Sequence, residues 1–256
     1  MSSPSILKSP GHDHIWAAEK DEARQIQQSL LPDNMLDTPV CEVAYRFSPF
    51  AEVGGDFADF FHLPDGQVGL YLGDVVGKGL SAAMYAALVM GMLRGIHKTG
   101  EDTAAALELL NRRMLVRPVP GRYSATLYAV FDPSSLKLTF SNAGLPYPLL
   151  VSKSGCRQLG AGGLPSGLLP DSSYETYSVS LAPGDAILFA TDGLHELRDS
   201  QDNDFSWEKL GETWRRCKGK PAEAALDYLF DEARQFSHAG RQDDDITAVV
   251  LKLAEN

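Results

Sequence analysis

Cysteine is scarce in this 256-residue chain: Cys41, Cys156 and Cys217 are odd in number and far apart. That set excludes a disulfide framework, and none lies near a histidine at zinc-ligand spacing, so buried free thiols are expected. Long apolar runs are missing too, and no segment is long enough to cross a membrane. The N-terminus lacks the charged and apolar regions of a signal peptide. These absences point to a cytoplasmic protein with no membrane partner. Clustered Lys and Arg are also lacking, and the formal net charge is -11. With no basic track for a phosphate backbone, nucleic acid is excluded as a partner. No internal repeat is present.

What remains is an ordinary globular composition, 44% apolar, in a chain long enough for a substantial core. Residues 1–12 are Ser- and Pro-rich and read as a disordered tail, and His12 and His14 at its end are expected to carry no function. Residues 13–32 form a helical segment: Ile15, Ala18, Ala23, Ile26 and Leu30 share a broad stripe, and Pro32 ends it. So polar a helix has little to bury alone and must dock on the domain or on a second chain. The domain proper is expected over 33–256. In it Val43, Tyr45 and Phe47 alternate with polar residues, and Val68, Leu70 and Leu72 follow a Pro64-Asp65-Gly66 turn, the pattern of a β-hairpin.

A nearly uncharged helix is expected over Ser81–His97, with Met84, Met90 and Met92 in the core, and an amphipathic one over Asp102–Val116. Strands are expected at Tyr123–Phe131, Leu136–Ser141, Leu149–Val151, Tyr174–Val179, Ala186–Ala190 and Ile246–Leu253, with helices at Trp207–Cys217 and Pro221–Phe236. Consecutive strands with grouped helices indicate an α+β layered fold rather than a parallel βαβ sheet.

Four stretches put an aspartate at the edge of an apolar strand. They are Val53-Gly54-Gly55-Asp56-Phe57, Leu72-Gly73-Asp74-Val75-Val76-Gly77-Lys78-Gly79, Phe189-Ala190-Thr191-Asp192-Gly193 and Gln242-Asp243-Asp244-Asp245-Ile246-Thr247. A carboxylate after a buried strand is costly to desolvate without a partner, and no matching set of Arg or Lys accompanies these four. Hard divalent cations take oxygen ligands and would gather them, which points to metal-dependent hydrolysis of phosphate. Any one aspartate could be a turn residue; the ordered set argues for metal. Gly77-Lys78-Gly79 fails the P-loop spacing, and Gly54-Gly55-Asp56-Phe57 lacks the further acid of a diguanylate cyclase signature.

Together these blocks, with Ala23-Arg24-Gln25-Ile26-Gln27-Gln28-Ser29-Leu30-Leu31-Pro32, Asn142-Ala143-Gly144 and Gly163-Leu164-Pro165-Ser166-Gly167-Leu168, resemble the PPM family of metal-dependent serine/threonine phosphatases in its bacterial SpoIIE/RsbU branch. The resemblance implies two packed antiparallel β-sheets flanked by helices, a four-layer αββα sandwich with two manganese or magnesium ions at one end. It implies that Asp74 bridges the ions and that the Val75 carbonyl binds the first. Asp192 and Asp244 would hold the second, and Asp56 would bind the first directly or through water. These residues are the catalytic and metal set; Asp59, Asp243 and Asp245 are expected to support or to be solvated. Glu196 is left open, and His195 is not expected to act as general acid.

Departures from the family pattern are Val76, where eukaryotic relatives carry a histidine, and Leu145, where many in this branch carry histidine facing the substrate cleft. Arg46 and Arg122 are candidates to grip substrate phosphate. The resemblance further implies a phosphorylated STAS-type anti-sigma-factor antagonist as substrate, an upstream sensor or receiver domain, and pairing of two chains through the N-terminal helix. The competing reading is a low-activity or inactive phosphatase-fold module acting as a regulatory adaptor.

Overall fold

The computed structural model describes residues 10–33, 35–99, 102–160, 162–237 and 242–255, without the side chains of 10–17, 65 and 99. In chain order the elements are α1 (Pro10–Leu30), β1 (Met35–Asp37), β2 (Cys41–Ser48), β3 (Phe57–His62), β4 (Val68–Val75), α2 (Leu80–Ile96) and α3 (Thr103–Val116). There follow β5 (Ser124–Asp132), β6 (Lys137–Ala143), β7 (Leu149–Ser152), β8 (Gly155–Gln158), β9 (Tyr177–Ser180) and β10 (Ala186–Ala190). The chain continues with α4 (Trp207–Arg216), α5 (Ala222–Phe236) and β11 (Ile246–Leu253). One sheet runs β1-β2-β11-β10-β7-β8 and the other β3-β4-β5-β6-β9, all pairs antiparallel.

Strand parity builds the layers, because successive side chains point to opposite faces. In β11, Val249, Leu251 and Leu253 enter the space between the sheets, while Ala248 and Val250 face α4 and α5. In β4, Val68, Leu70 and Leu72 point between the sheets, and Tyr71 and Val75 point to α2 and α3. Three apolar layers therefore stack between four structural ones, as the α+β sandwich expectation requires. Trp214 of α4 is buried and donates its Nε1–H to the Leu149 carbonyl at 3.0 Å, pinning the helix layer to its sheet.

Several expectations need correction. β3 has no alternating signature, since Phe57 and Phe61 serve the helix face while Ala58 and Phe60 serve the inter-sheet face. It is β3, not the Val43–Phe47 strand, that forms the hairpin with β4 across Pro64–Gly66. Helix α2 is not buried all round: Met84 is 69% exposed, and Leu80 and Leu88 join it in an open stripe at four-residue spacing, so only Met90 is fully core and Met92 partly so. Helix α1 starts at Pro10, where the missing N–H costs nothing, inside the segment expected to be a tail. Residues 1–9, and the side chains of His12 and His14, lie outside those described. Cys41 and Cys217 are buried free thiols and Cys156 is half-buried. Among the described residues no helix is long and apolar enough to cross a membrane.

Gly73 sits on the helix face of β4, where an added Cβ would strike the Phe57 ring. Gly73→Ala should lower stability by about 1–3 kcal/mol through overpacking. An unchanged urea midpoint would contradict this packing.

Candidate metal centre

The parity that builds the core also gathers the acids. Asp74 shares the inter-sheet face of Leu70 and Leu72, and Asp56 that of Ala58 and Phe60. One step beyond the Phe57–Gly73 pair, at the open end of the hairpin, the two carboxyl groups meet and share a hydrogen bond. From the opposite sheet Thr191 follows β10 and Thr247 opens β11, both on the inter-sheet face. Each hydroxyl donates to Asp56 Oδ2, at 2.8 and 2.7 Å. The two threonines are also tied together: the Thr247 N–H donates to Thr191 Oγ1 at 2.9 Å and the Thr191 N–H to the Thr247 carbonyl at 3.0 Å. All three residues are buried, Asp56 to 1% exposure.

Asp192 caps the same end at the start of a short 3-10 turn, and Asp244 approaches it from the loop before β11; repulsion from Asp244 helps to raise the Asp192 pKa. Asp245 supports the site. Its carboxylate accepts the Phe50 N–H at 2.7 Å and the Gly55 N–H at 2.6 Å, fixing the turn that presents Asp56. Gly54 and Gly55 are required there, since a Cβ on Gly54 would collide with the Asp245 carboxylate and one on Gly55 would lie 2.7 Å from the Val75 carbonyl. Gln27 of α1 reaches the same turn: its amide donates to the Gly54 carbonyl at 2.7 Å and accepts the Gly54 N–H at 3.1 Å.

So much like charge in one place raises the carboxyl groups. Burial, then repulsion from Asp192 and Asp244, pushes Asp74 up to about 7. Burial and the neighbouring Asp74 and Asp245 hold Asp56 well above the carboxylate range, against the lowering pull of the threonine hydroxyls. Asp192 and Asp245 are raised chiefly by burial. Among the described residues one cation answers: Lys78 pairs with Asp244 at 3.0 Å and also donates to the Asp243 carbonyl. This pair is a departure from the expected absence of basic partners. Among the described residues no three His, Cys, Asp or Glu side chains already close around a single point. The donor set nonetheless fits hard cations: all oxygen, clustered at one end of the sandwich, and carrying more negative charge than Lys78 offsets.

The remaining candidates separate cleanly. Asp59 faces the helix layer, accepting Tyr71 Oη–H and Arg94 Nε–H at 2.9 Å each, and Arg94 also holds the Leu30 carbonyl at the end of α1 at 2.6 Å. Arg46 is engaged by Asp227 and Glu223 of α5. Arg122 instead lies beside the Asp74–Gly79 segment, donating to the Val76 carbonyl and to Ser81 Oγ, the latter at 2.9 Å. His195 stacks on Trp207 at 4.2 Å between centroids, and burial lowers its pKa against the raising pull of Asp192 and Asp204. Glu196 is raised by burial. Leu145 does not face a cleft; it packs in the inter-sheet core, its backbone N–H and carbonyl both held by the Asn142 side chain. No sequence motif assigns a role to Gln27, Thr191 or Thr247, although the parity of Thr191 and Thr247 with Phe189 and Val249 is a usable signal.

Raised carboxyl pKa values mean that the metal-free folded state holds more protons than the unfolded chain between the ordinary carboxylate range and about pH 7, the value of Asp74. Their contribution therefore falls as pH rises through that window. His195 and His97, with lowered pKa values, act oppositely below the usual histidine range. In chelator, Asp74→Asn should flatten the loss of melting temperature between pH 5 and 7.5 relative to the unaltered chain. Identical slopes for the two proteins would contradict the clustered charge.

Comparison with known proteins agrees with this fold. The chain is 27% identical to Protein IcfG of Synechocystis sp., covering 93% of this chain and 42% of that protein. It is 24% identical to Phosphoserine phosphatase RsbU of Bacillus subtilis, covering 71% of this chain and 54% of that one. It thus spans about half the length of these relatives. The SiaA-PP2C domain of Pseudomonas aeruginosa superposes with a TM-score of 0.85 at 19% identity, over 97% of this chain and all of that one, which shows a common fold. The sequence profile of Stage II sporulation protein E (SpoIIE) matches residues 64–254, from the β3–β4 turn through β11, and the chain belongs to that family.

Proposed function

We propose that this chain is a metal-dependent protein phosphatase that hydrolyses phosphoserine or phosphothreonine on a regulatory partner, a phosphorylated STAS-type anti-sigma-factor antagonist. The observation that carries this reading is the gathering of Asp56, Asp74, Asp192 and Asp244 from both sheets at one end of the sandwich, with Lys78 paired to Asp244 alone. Asp74, Asp56 and the Val75 carbonyl would hold one manganese or magnesium ion, and Asp74, Asp192 and Asp244 a second. Such ions, when bound, supply Lewis-acid polarisation of a phosphoryl oxygen.

The chain's own residues do the positioning. Thr191 and Thr247 fix one oxygen of Asp56, which sets the direction of the other. Asp245 holds the Gly54–Gly55 turn, and Lys78 restrains Asp244. No histidine stands at Val76, and His195 is committed to Trp207, so proton transfer to the leaving oxygen falls to solvent. A cytoplasmic setting follows from this partner class. Residues 13–32 serve in this reading as a regulatory linker helix behind an upstream sensor or receiver domain. The exposed Ile26 and the open Leu80, Met84 and Leu88 stripe support pairing of two chains there, which sedimentation tests directly.

One contact favours the adaptor reading: the Lys78–Asp244 pair competes with a cation for a proposed ligand. Turnover separates the two. With manganese and a phosphorylated STAS-type protein, phosphate release should be metal-dependent, and Asp74→Asn should cost at least about a hundredfold, the upper end for losing a group that merely supports a metal ligand. Wild-type turnover by Asp74→Asn would remove the two-ion assignment. Absence of any turnover by the unaltered chain would favour the adaptor.

A further inference from the structure

An enzyme of net charge -11 with its acids gathered at the reaction site repels an anionic substrate, so an approach lane of opposite sign is needed. The chain has one. Between Glu108 and Asp171 the sole acid is Asp132, whereas Arg112, Arg113, Arg117 and Arg122 all fall within Asn111–Arg122.

The fold brings this stretch to the metal centre. Across the β3-β4-β5 sheet Val75 pairs with Ser124, and Ser124 bridges in turn to Ser166, with N–H to carbonyl bonds of 2.9 and 2.8 Å. The loop ending α3 and the loop over 164–169 therefore flank the strand end that carries Asp74 and Val75. Asn111 rivets them together: its side chain accepts the Gly167 N–H at 2.7 Å and donates to the Leu169 carbonyl at 3.0 Å. Arg122 closes the join by donating to the Val76 carbonyl.

On this braced rim the exposed groups are of two kinds. Val116 is 77% exposed, and Val119, Leu168 and Leu169 are also open, apolar area that stable surfaces normally cover. Arg117 is exposed with no ion pair among the described residues, and Arg112 meets Glu108 only at 4.0 Å. Arg113 is turned inward to the Met92 carbonyl at 3.3 Å. Arginine interleaved with valine, proline and leucine suits an acidic protein surface with apolar anchors rather than a nucleic-acid backbone.

We propose that the rim formed by the C-terminal turn of α3, the loop into β5 and the 164–169 loop is the docking face for an acidic phosphoprotein substrate. It rests on the phosphatase reading above and adds where the partner sits. Arg112 and Arg117 steer and orient it, and Val116 and Leu168 bury apolar area once it is seated.

The test compares a small and a large substrate on the full chain with manganese: 4-nitrophenyl phosphate and a phosphorylated STAS-type protein. In Arg112→Glu/Arg117→Glu, kcat/KM for the small ester should stay within about twofold. For the phosphoprotein it should fall at least about tenfold, mainly through KM, with a weaker dependence on salt. Val116→Ser should weaken the phosphoprotein without changing salt dependence. Equal losses on both substrates, or none on the phosphoprotein, would overturn the docking face. A binding readout, anisotropy of the labelled phosphoprotein with metal-free chain, separates the two readings. Binding that the double variant abolishes, without turnover by the unaltered chain, would leave the docking face standing and sink the phosphatase reading. Equal binding by both proteins would sink the docking face itself. A gain of self-association or of phosphatidylserine-vesicle binding that the arginines alone control, with the phosphoprotein unaffected, would also overturn it.

Discussion

Like-charge repulsion at one end of the inter-sheet space is the constraint around which this molecule is arranged. Asp56, Asp74, Asp192, Asp244 and Asp245 come from four separate segments of the chain, and the raised pKa of Asp74, near 7, records the cost of bringing them together. A domain has a margin of only about 5–15 kcal/mol. It tolerates such a cluster only if the rest of the core is secure and if something of opposite charge completes the site.

Much of the surrounding structure reads as support for that cluster. The inter-sheet core from Val43 to Leu253 holds the two sheets at a fixed separation, so that threonines of one sheet meet an aspartate of the other at 2.7–2.8 Å. The buried Thr191 hydroxyl is economical here: it donates to the Asp56 carboxylate while its own oxygen accepts the Thr247 N–H. The Gly54–Gly55 turn is held from two sides, by Asp245 inside and by Gln27 of α1 outside. Arg94 ties the end of α1 to Asp59, three residues beyond Asp56 on β3. A helix on the surface is thereby bonded to both flanks of a site acid, a physical route for the regulatory role proposed for that helix.

Sequence was most informative where period and chemistry coincided. β10 and β11 were read to the residue because their apolar runs end in Thr-Asp and Asp-Asp at the site. β3 was unreadable as a strand because both its faces are buried, which erases the period-two signal in Phe57-Ala58-Asp59-Phe60-Phe61. Met84 misled for a related reason: an apolar residue on a helix does not say whether its face is covered, and here the Leu80–Met84–Leu88 stripe is open. Leu145 stands where relatives in this branch carry a histidine, and its apolar side chain packs into the inter-sheet core, a placement that residue type at a loop does not reveal. The acids were legible from type and order alone; that Lys78 pairs with Asp244, and that Arg122 rather than Arg46 lies beside the site, depended on tertiary contacts no local pattern encodes.

The central claim is that this pocket of repelling carboxylates is completed by two divalent cations sharing Asp74. Anomalous diffraction from crystals grown with manganese tests it most directly. The account predicts two peaks at the end of the sandwich, both in contact with the Asp74 carboxylate, one beside Asp56 and the other beside Asp192 and Asp244. Manganese confined to surface acids, or a fully occupied centre with Asp74 still bonded only to Asp56, would contradict it.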